Sequence, residues 1–206
     1  MGESEGLPTF TGLVVHRDPD VGYSLLLPDG WQRANVPETG GALYTPDPAD
    51  PTTGLEVSGQ RLGTTVRARD LAAIRRGFFQ GLRQLPECQI ERQEATGVGE
   101  LLTLEARLTY RQDEAVRKRW VRLLYQGKTQ IRLLAEGSSV ERFAYWEPMF
   151  FTAFRTVRFG DWWSEATGLD WVDTVFQDRD QSASLDPLLP APRPSDPAPG
   201  TTSDSS

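Results

Sequence analysis

The stretch Leu101-Leu102-Thr103-Leu104-Glu105-Ala106-Arg107-Leu108-Thr109-Tyr110 decides the fold class. Leu102, Leu104, Ala106, Leu108 and Tyr110 are apolar, and Thr103, Glu105, Arg107 and Thr109 between them are polar. A period of two marks a β-strand with one buried face. Ile131, Leu133 and Ala135 alternate in the same way with Arg132, Leu134 and Glu136. Cys88–Ala95 and Val116–Tyr125 read as the other two strands of this stretch. The breaks are Thr96-Gly97-Val98-Gly99, Gln112-Asp113-Glu114 and Gln126-Gly127-Lys128. Parallel pairing needs crossovers of about a dozen residues, so connections this short predict an antiparallel meander.

Upstream the period changes. Leu71, Ile74, Phe78, Leu82 and Leu85 fall on one helical stripe. Asp70 precedes the stripe, where the helix dipole favours an acid, and Pro86 ends it. Further upstream, Thr11–His16, Val21–Leu27 and Leu55–Leu62 read as strands, with Gly59 a candidate bulge. Asp18-Pro19-Asp20 and Pro28-Asp29-Gly30 are turn signals, and Trp31 is a candidate core anchor. Residues 37–54 predict a long loop around one short strand, Ala42–Thr45. Downstream, Ser138 and Glu141 fit a capping box. The aromatic block after them, Phe143 to Phe154, contains Pro148, which predicts a kink or two short helices. Strands, helix, strands, helix is an α+β order, with helices packed on an antiparallel sheet.

The run Gly22-Tyr23-Ser24-Leu25-Leu26-Leu27-Pro28-Asp29-Gly30-Trp31 resembles the opening motif of the PsbP-like and DcrB-like superfamily. The aromatic helix leading into Phe154-Arg155-Thr156-Val157-Arg158-Phe159 resembles its closing segment. The likeness covers about residues 11–160. It implies a three-layer α/β/α sandwich and a non-catalytic role, as in extrinsic photosystem subunits, a GTPase-binding import factor, lipoproteins and secretion chaperones. It carries no catalytic set. The sequence lacks the lipoprotein branch's lipobox cysteine, and its given start has no lumenal or secretory leader, which together favour a cytoplasmic expectation.

Composition narrows the functional classes. One cysteine, Cys88, and one histidine, His16, exclude an intrachain disulfide and multi-thiolate or multi-histidine metal sites. No apolar run approaches the ~18 residues of a spanning helix. Met1-Gly2 opens like a myristoylation site, but Gly6 stands where Ser or Thr is wanted. The net charge of −7 sits mostly in residues 164–206, which hold eight acids and two bases. The body is nearly neutral and lacks the basic footprint of a nucleic-acid binder. From Gln181 onward the chain is rich in Pro, Ser, Asp, Thr and Ala, a composition that cannot offset its chain entropy. The sequence therefore divides into a flexible start (1–10), a domain (11–160), an acidic aromatic extension (161–180) and a disordered tail (181–206). Pro187-Leu188-Leu189-Pro190 fits P-x-x-P, and its plain reading is a solvated tail.

Candidate sites are few. His16 has no local nucleophile, and no G-x-S-x-G elbow exists, so it reads as a strand-end histidine. Asp18 and Asp20 lack a calcium-loop spacing. Cys88 has Glu87 and Glu91 beside it, the wrong charge for a reactive thiol. Gly97-Val98-Gly99 lacks the Lys-Ser/Thr of a phosphate loop and reads as a hairpin. Residues 107–132 carry eight bases against Asp113 and Glu114. Arg117, Arg119 and Arg122 with Trp120 and Tyr125 are accordingly candidates to meet an acidic partner, against a plain reading as a solvated strand face. In the extension, Trp162, Trp163, Trp171 and Phe176 are candidates for docking in a partner's groove, or for packing back on the domain.

The expectation is a protein-interaction or accessory module, chaperone- or adaptor-like, with no cofactor, catalytic residue or metal. Its partner is another protein, not a nucleic acid, and a homodimer is left open. A carrier of a small hydrophobic ligand or lipid is the alternative. An enzyme built on a pair such as Glu105 and Glu136 is the remaining reading.

Overall fold

The computed structural model describes residues 12–18 and 20–159. The alternating stretch is strand β7, Leu101–Gln112. It lies between β6, Gln89–Val98, and β8, Ala115–Gln126, and β8 pairs in turn with β9, Thr129–Gly137. All these pairings are antiparallel, so the expected meander is present. Each of its turns has two residues. Asp113 and Glu114 both take positive φ, the twist a two-residue hairpin favours. The turn after β6 is Gly99-Glu100, tighter than expected, because Thr96 to Val98 continue the ladder.

The sheet extends beyond β9 to β5 (Gly54–Arg61), β4 (Gly41–Thr45) and β3 (Gln32–Val36), in the order β3-β4-β5-β9-β8-β7-β6. β3 is a correction: Gln32-Arg33-Ala34-Asn35 is exposed and gives no apolar alternation to read. Gly59 is another. It sits in register opposite Ile131, and the one register shift in these ladders is at Ile90/Arg92 in β6. Gly59 is needed for room: a Cβ there would lie 2.6 Å from Val21 Cγ1 and 3.0 Å from Tyr23 Cε1.

Those two residues belong to or adjoin a second, three-stranded sheet. β1 (Leu13–Asp18) pairs with β2 (Tyr23–Pro28), and β2 pairs with β10 (Arg158–Phe159). Tyr23, Leu25 and Leu27 pack with Tyr44, Leu55 and Val57 of the large sheet.

Two helices complete the layers. α1, Leu71–Leu82, follows a single 3₁₀ turn, Ala68–Asp70. Asp70 accepts from the Arg67 N–H at 2.9 Å. α1 covers β7 and β8 through Leu71, Ile74 and Phe78, which meet Leu102, Leu104, Leu123 and Tyr125. Phe79, outside the expected stripe, is the most buried residue of α1 and packs on Ala106 and Leu108. The helix ends before Pro86, since Gln84 and Leu85 already make i→i−3 bonds.

α2, Val140–Thr156, packs on the opposite face with the small sheet. It is one helix through Pro148. The bond lost at Pro148 would run to Ala144, and both residues face solvent, so water can satisfy that carbonyl. Its N-cap is Ser139, not Ser138: the Ser139 hydroxyl accepts from the Arg142 N–H at 3.2 Å. Ser138 instead donates to Asp50 at 2.7 Å, and its N–H donates to the Thr53 hydroxyl at 2.9 Å. The layers are therefore α1, the seven-stranded sheet, and α2 with the small sheet. No helix among the described residues is long and apolar enough to cross a membrane.

Candidate interaction surface

The eight bases of residues 107–132 do not form one open face. Ladder register puts Arg117, Arg119 and Tyr125 on the α1 side of the sheet, and Trp120 and Arg122 on the α2 side. Acids from distant strands meet them. Arg117 and Arg119 both reach Glu136, the latter through Nε at 2.5 Å, and Tyr110 donates to the same carboxylate at 2.8 Å. Burial and this carboxylate raise the Tyr110 hydroxyl to about 12. Arg122 Nε donates to Glu105 at 2.7 Å, Lys118 pairs with Glu91 at 2.9 Å, and Arg111 with Glu87 at 3.0 Å. Arg107 pairs with Glu147 of α2, and Arg132 with Glu56. Trp120 is 1% exposed, with the Arg107 guanidinium 3.9 Å from its ring centroid and Phe154 stacked at 4.2 Å. Tyr125 is also buried. Trp162, Trp163, Trp171 and Phe176 lie outside the described residues.

The other sequence candidates have structural tasks. Glu105 and Glu136 stand on opposite faces of the sheet, so they cannot act as a pair. His16 Nδ1 is 2.5 Å from the Tyr44 hydroxyl, between the two sheets, and the Tyr23 ring lies tilted with its centroid 5.9 Å from that of His16. Burial, with Arg33 second, lowers the His16 pKa below 6.5. Asp18 accepts from the Val21 N–H at 2.9 Å and so holds the β1–β2 turn. No group of three His, Cys, Asp or Glu suited to a metal exists among the described residues. The Cys88 thiol is half-buried, and burial pushes its pKa up despite Arg83 and Arg119. It lines a shallow cleft with Arg83, Ile90, Glu91, Arg92 and Gln93, a mostly polar set and not an apolar chamber.

What the sequence reading did not single out is the outward side of α2. Phe143, Phe150, Ala153 and Phe154 point into the core. Ala144, Pro148, Phe151 and Arg155, spaced four, three and four apart, form the solvent stripe. Phe151 is 50% exposed, with the Arg155 guanidinium 5.9 Å from its ring. Elsewhere on α2, half-buried rings stand edge to face. Trp31 and Trp146 are 5.8 Å apart at 90°, and Trp146 and Tyr145 are 5.0 Å apart at 88°. Trp31 also abuts Phe150 at 5.9 Å, so it anchors the core with one edge and shows the other. The periodicity of Ala144, Pro148 and Phe151 was available in the sequence, but Pro148 masked the continuous helix that aligns them.

No family model matches the chain, and no curated protein matches it. Solved structures do. Cyanobacterial PsbP (CyanoP) from Synechocystis sp. PCC 6803 superposes with a TM-score of 0.51 at 17% identity, over 77% of this chain and 98% of that one. The chain has the PsbP-like fold. LpqN of Mycobacterium tuberculosis, described as involved in cell envelope biogenesis, shares it with a TM-score of 0.51 at 17% identity. That likeness covers 72% of this chain and 91% of LpqN. A PsbP-like fold gives the scaffold and not the activity, which must be argued from the surface.

Proposed function

We propose that this protein is a non-catalytic interaction module of the accessory or adaptor type, and that it binds another protein through the outward side of α2. The observation that carries this is Phe151, half exposed on a helix whose opposite side is fixed in the core. Pro148 and Arg155 share its stripe, while Tyr145 and Trp146, with Trp31 against Trp146, are half-buried on other sides of the same helix. Aromatic residues, Met and Arg are the types enriched in contact surfaces. Phe151, Pro148 and Arg155 in one stripe on a fixed helix give the aromatic and arginine composition of a contact surface. The aromatic segment that begins with Trp162 and Trp163 follows the domain directly and can extend the contact.

A photo-reactive phenylalanine analogue at position 151 tests this in native lysate, with the same analogue at Gln60, on the other face of the sheet, as control. An adduct with another protein from position 151 alone is expected. Equal labelling from both positions, or none, overturns the reading.

A further inference from the structure

We propose that β6, an open edge of the large sheet, takes up an acidic extended segment of another protein as an added strand, beneath a row of arginines on α1. This surface lies on the α1 face of the sheet and shares no residue with the α2 stripe.

The edge supplies the hydrogen bonds. β6 pairs only with β7 and ends the sheet. Beyond the register shift at Ile90/Arg92, the stretch Arg92–Val98 is regular. It carries neither Pro nor Lys, the residues that commonly block such an edge. Val98 and Leu101 close a two-residue turn, so they exchange backbone bonds, and bonded pairs alternate along the ladder. Arg92, Glu94, Thr96 and Val98 therefore point their N–H and C=O at β7. Gln93, Ala95 and Gly97 point theirs outward, where no strand of the sheet meets them. Their side chains share the α1 face with Ala106, Leu104 and Leu102 and carry no charge.

The helix supplies the charge. α1 runs antiparallel to β6. At its start, a Cβ on Gly97 would lie 3.9 Å from Leu71 Cδ2, and just past its end Arg83 lines the shallow cleft with Ile90 and Gln93. Phe79 marks the β6 flank of α1, since it clusters with Ala106, Leu108 and Ile90. At ~100° per residue, Arg75, Arg76 and Arg83 all fall within ~60° of Phe79. The three are exposed, and none has an ion pair among the described residues. The nearby acids are engaged, Glu91 by Lys118 and Glu94 by Arg92. Arg76 and Arg83 are ~10.5 Å apart along the axis. Acids two or four residues apart on an extended strand, ~7 or ~13 Å, bracket that distance within an arginine's reach.

Together these features select the occupant. Strand addition gives main-chain bonds to any extended chain, and the arginines favour one with acids on its α1 side. A second copy is disfavoured. Pairing β6 with β6 about a two-fold axis brings the two α1 flanks, and their arginines, face to face.

The test titrates the full chain with a seven-residue peptide alternating Glu and Val, and follows backbone amide exchange by NMR. The peptide slows exchange at Gln93, Ala95 and Gly97 at least tenfold and leaves β3, the opposite edge, unchanged. Arg76→Gln with Arg83→Gln, both at exposed positions, weakens binding at least tenfold and removes most of its salt dependence. The same peptide N-methylated at each Glu, whose N–H faces β6 in this arrangement, keeps its charge and does not bind. Equal binding by the methylated peptide means that the arginines hold charge without a strand, as for a phosphate or a lipid headgroup, and overturns the proposal. Protection of the three amides before peptide is added means that a second copy or the chain itself covers the edge, and overturns it too. Unchanged exchange at millimolar peptide does the same.

Discussion

Arg122 joins two layers through Phe154: from β8 its guanidinium donates to the Phe154 carbonyl near the end of α2, while its Nε holds Glu105 on β7 at 2.7 Å. The cation also meets the negative end of the helix dipole. The Arg122 and Glu105 side chains are 14% and 12% exposed, so the pair is largely desolvated. Arg122→Met strands the Glu105 carboxylate and lowers the unfolding free energy by about 3 kcal/mol, read by urea denaturation at constant slope. Arg122→Met with Glu105→Leu recovers much of that loss. Arg92→Ala breaks an exposed pair with Glu94 and leaves the midpoint where it was. Equal shifts for Arg122→Met and Arg92→Ala would refute this account.

Gly59 and Gly77 respond in opposite directions to the same methyl group. Gly59→Ala forces the small sheet off the large one at Val21 and Tyr23 and destabilises by roughly 1–3 kcal/mol. Gly77 lies inside α1 with open space around its Cβ position, and Gly77→Ala stabilises by about 0.5–1 kcal/mol. Thermal melts of the two variants decide it. A tolerated Gly59→Ala would mean the sheets are not in close contact there.

His16 makes stability depend on pH near neutrality. Its folded pKa is below 6.5, so the unfolded chain binds the extra proton. Stability is therefore full above 6.5 and falls as pH drops from there through the folded pKa. Asp50 is partly desolvated, which raises its pKa, but bonds from Thr53, Ser138 and Thr52 outweigh that and hold it below 3.8. Its contribution is present above 3.8 and is lost as pH falls through the folded value, a separate and more acidic window. Urea midpoints between pH 8 and 5 should decline in the natural chain and flatten in His16→Asn. An unchanged slope in the variant would assign the decline elsewhere.

Phe151→Ser separates contact from stability. Half of the ring is in water, so the change in unfolding free energy stays within about 1 kcal/mol. Recovery of the partner crosslinked at position 151 should drop severalfold in a pull-down with Phe151→Ser. A large loss of stability would show that Phe151 belongs to the core instead.

The meander and both helices were legible because Leu102–Tyr110 and Leu71–Leu82 carry clean periods. β3 was not, since all but one of its residues, Val36, face water. The basic run 107–132 misled for a related reason. Glu136, Glu105, Glu91 and Glu56 neutralise it from other strands, and sequence spacing does not show cross-strand neighbours. Trp120 looked like a contact residue because Arg119 and Arg122 flank it, yet the pleat sends it into the core. The α2 stripe was hidden by Pro148, whose helix-breaking tendency is harmless where the orphaned carbonyl faces solvent.

Arg61 and Thr129 face each other across the β5–β9 ladder. Everything from 62 to 128 is thus an excursion that leaves β5 and returns beside it. During synthesis β5 emerges long before its partner exists. At ~5–20 residues per second, the ribosome takes roughly 3–13 s to supply the intervening chain. For that interval Leu55 and Val57 sit in a strand with one open edge, guarded only by the local β3–β4–β5 hairpins. The meander behind them folds from neighbours in sequence and needs no such wait. The nascent chain is therefore most exposed to misassociation in its first third, and codon tempo over residues 62–128 sets how long that exposure lasts.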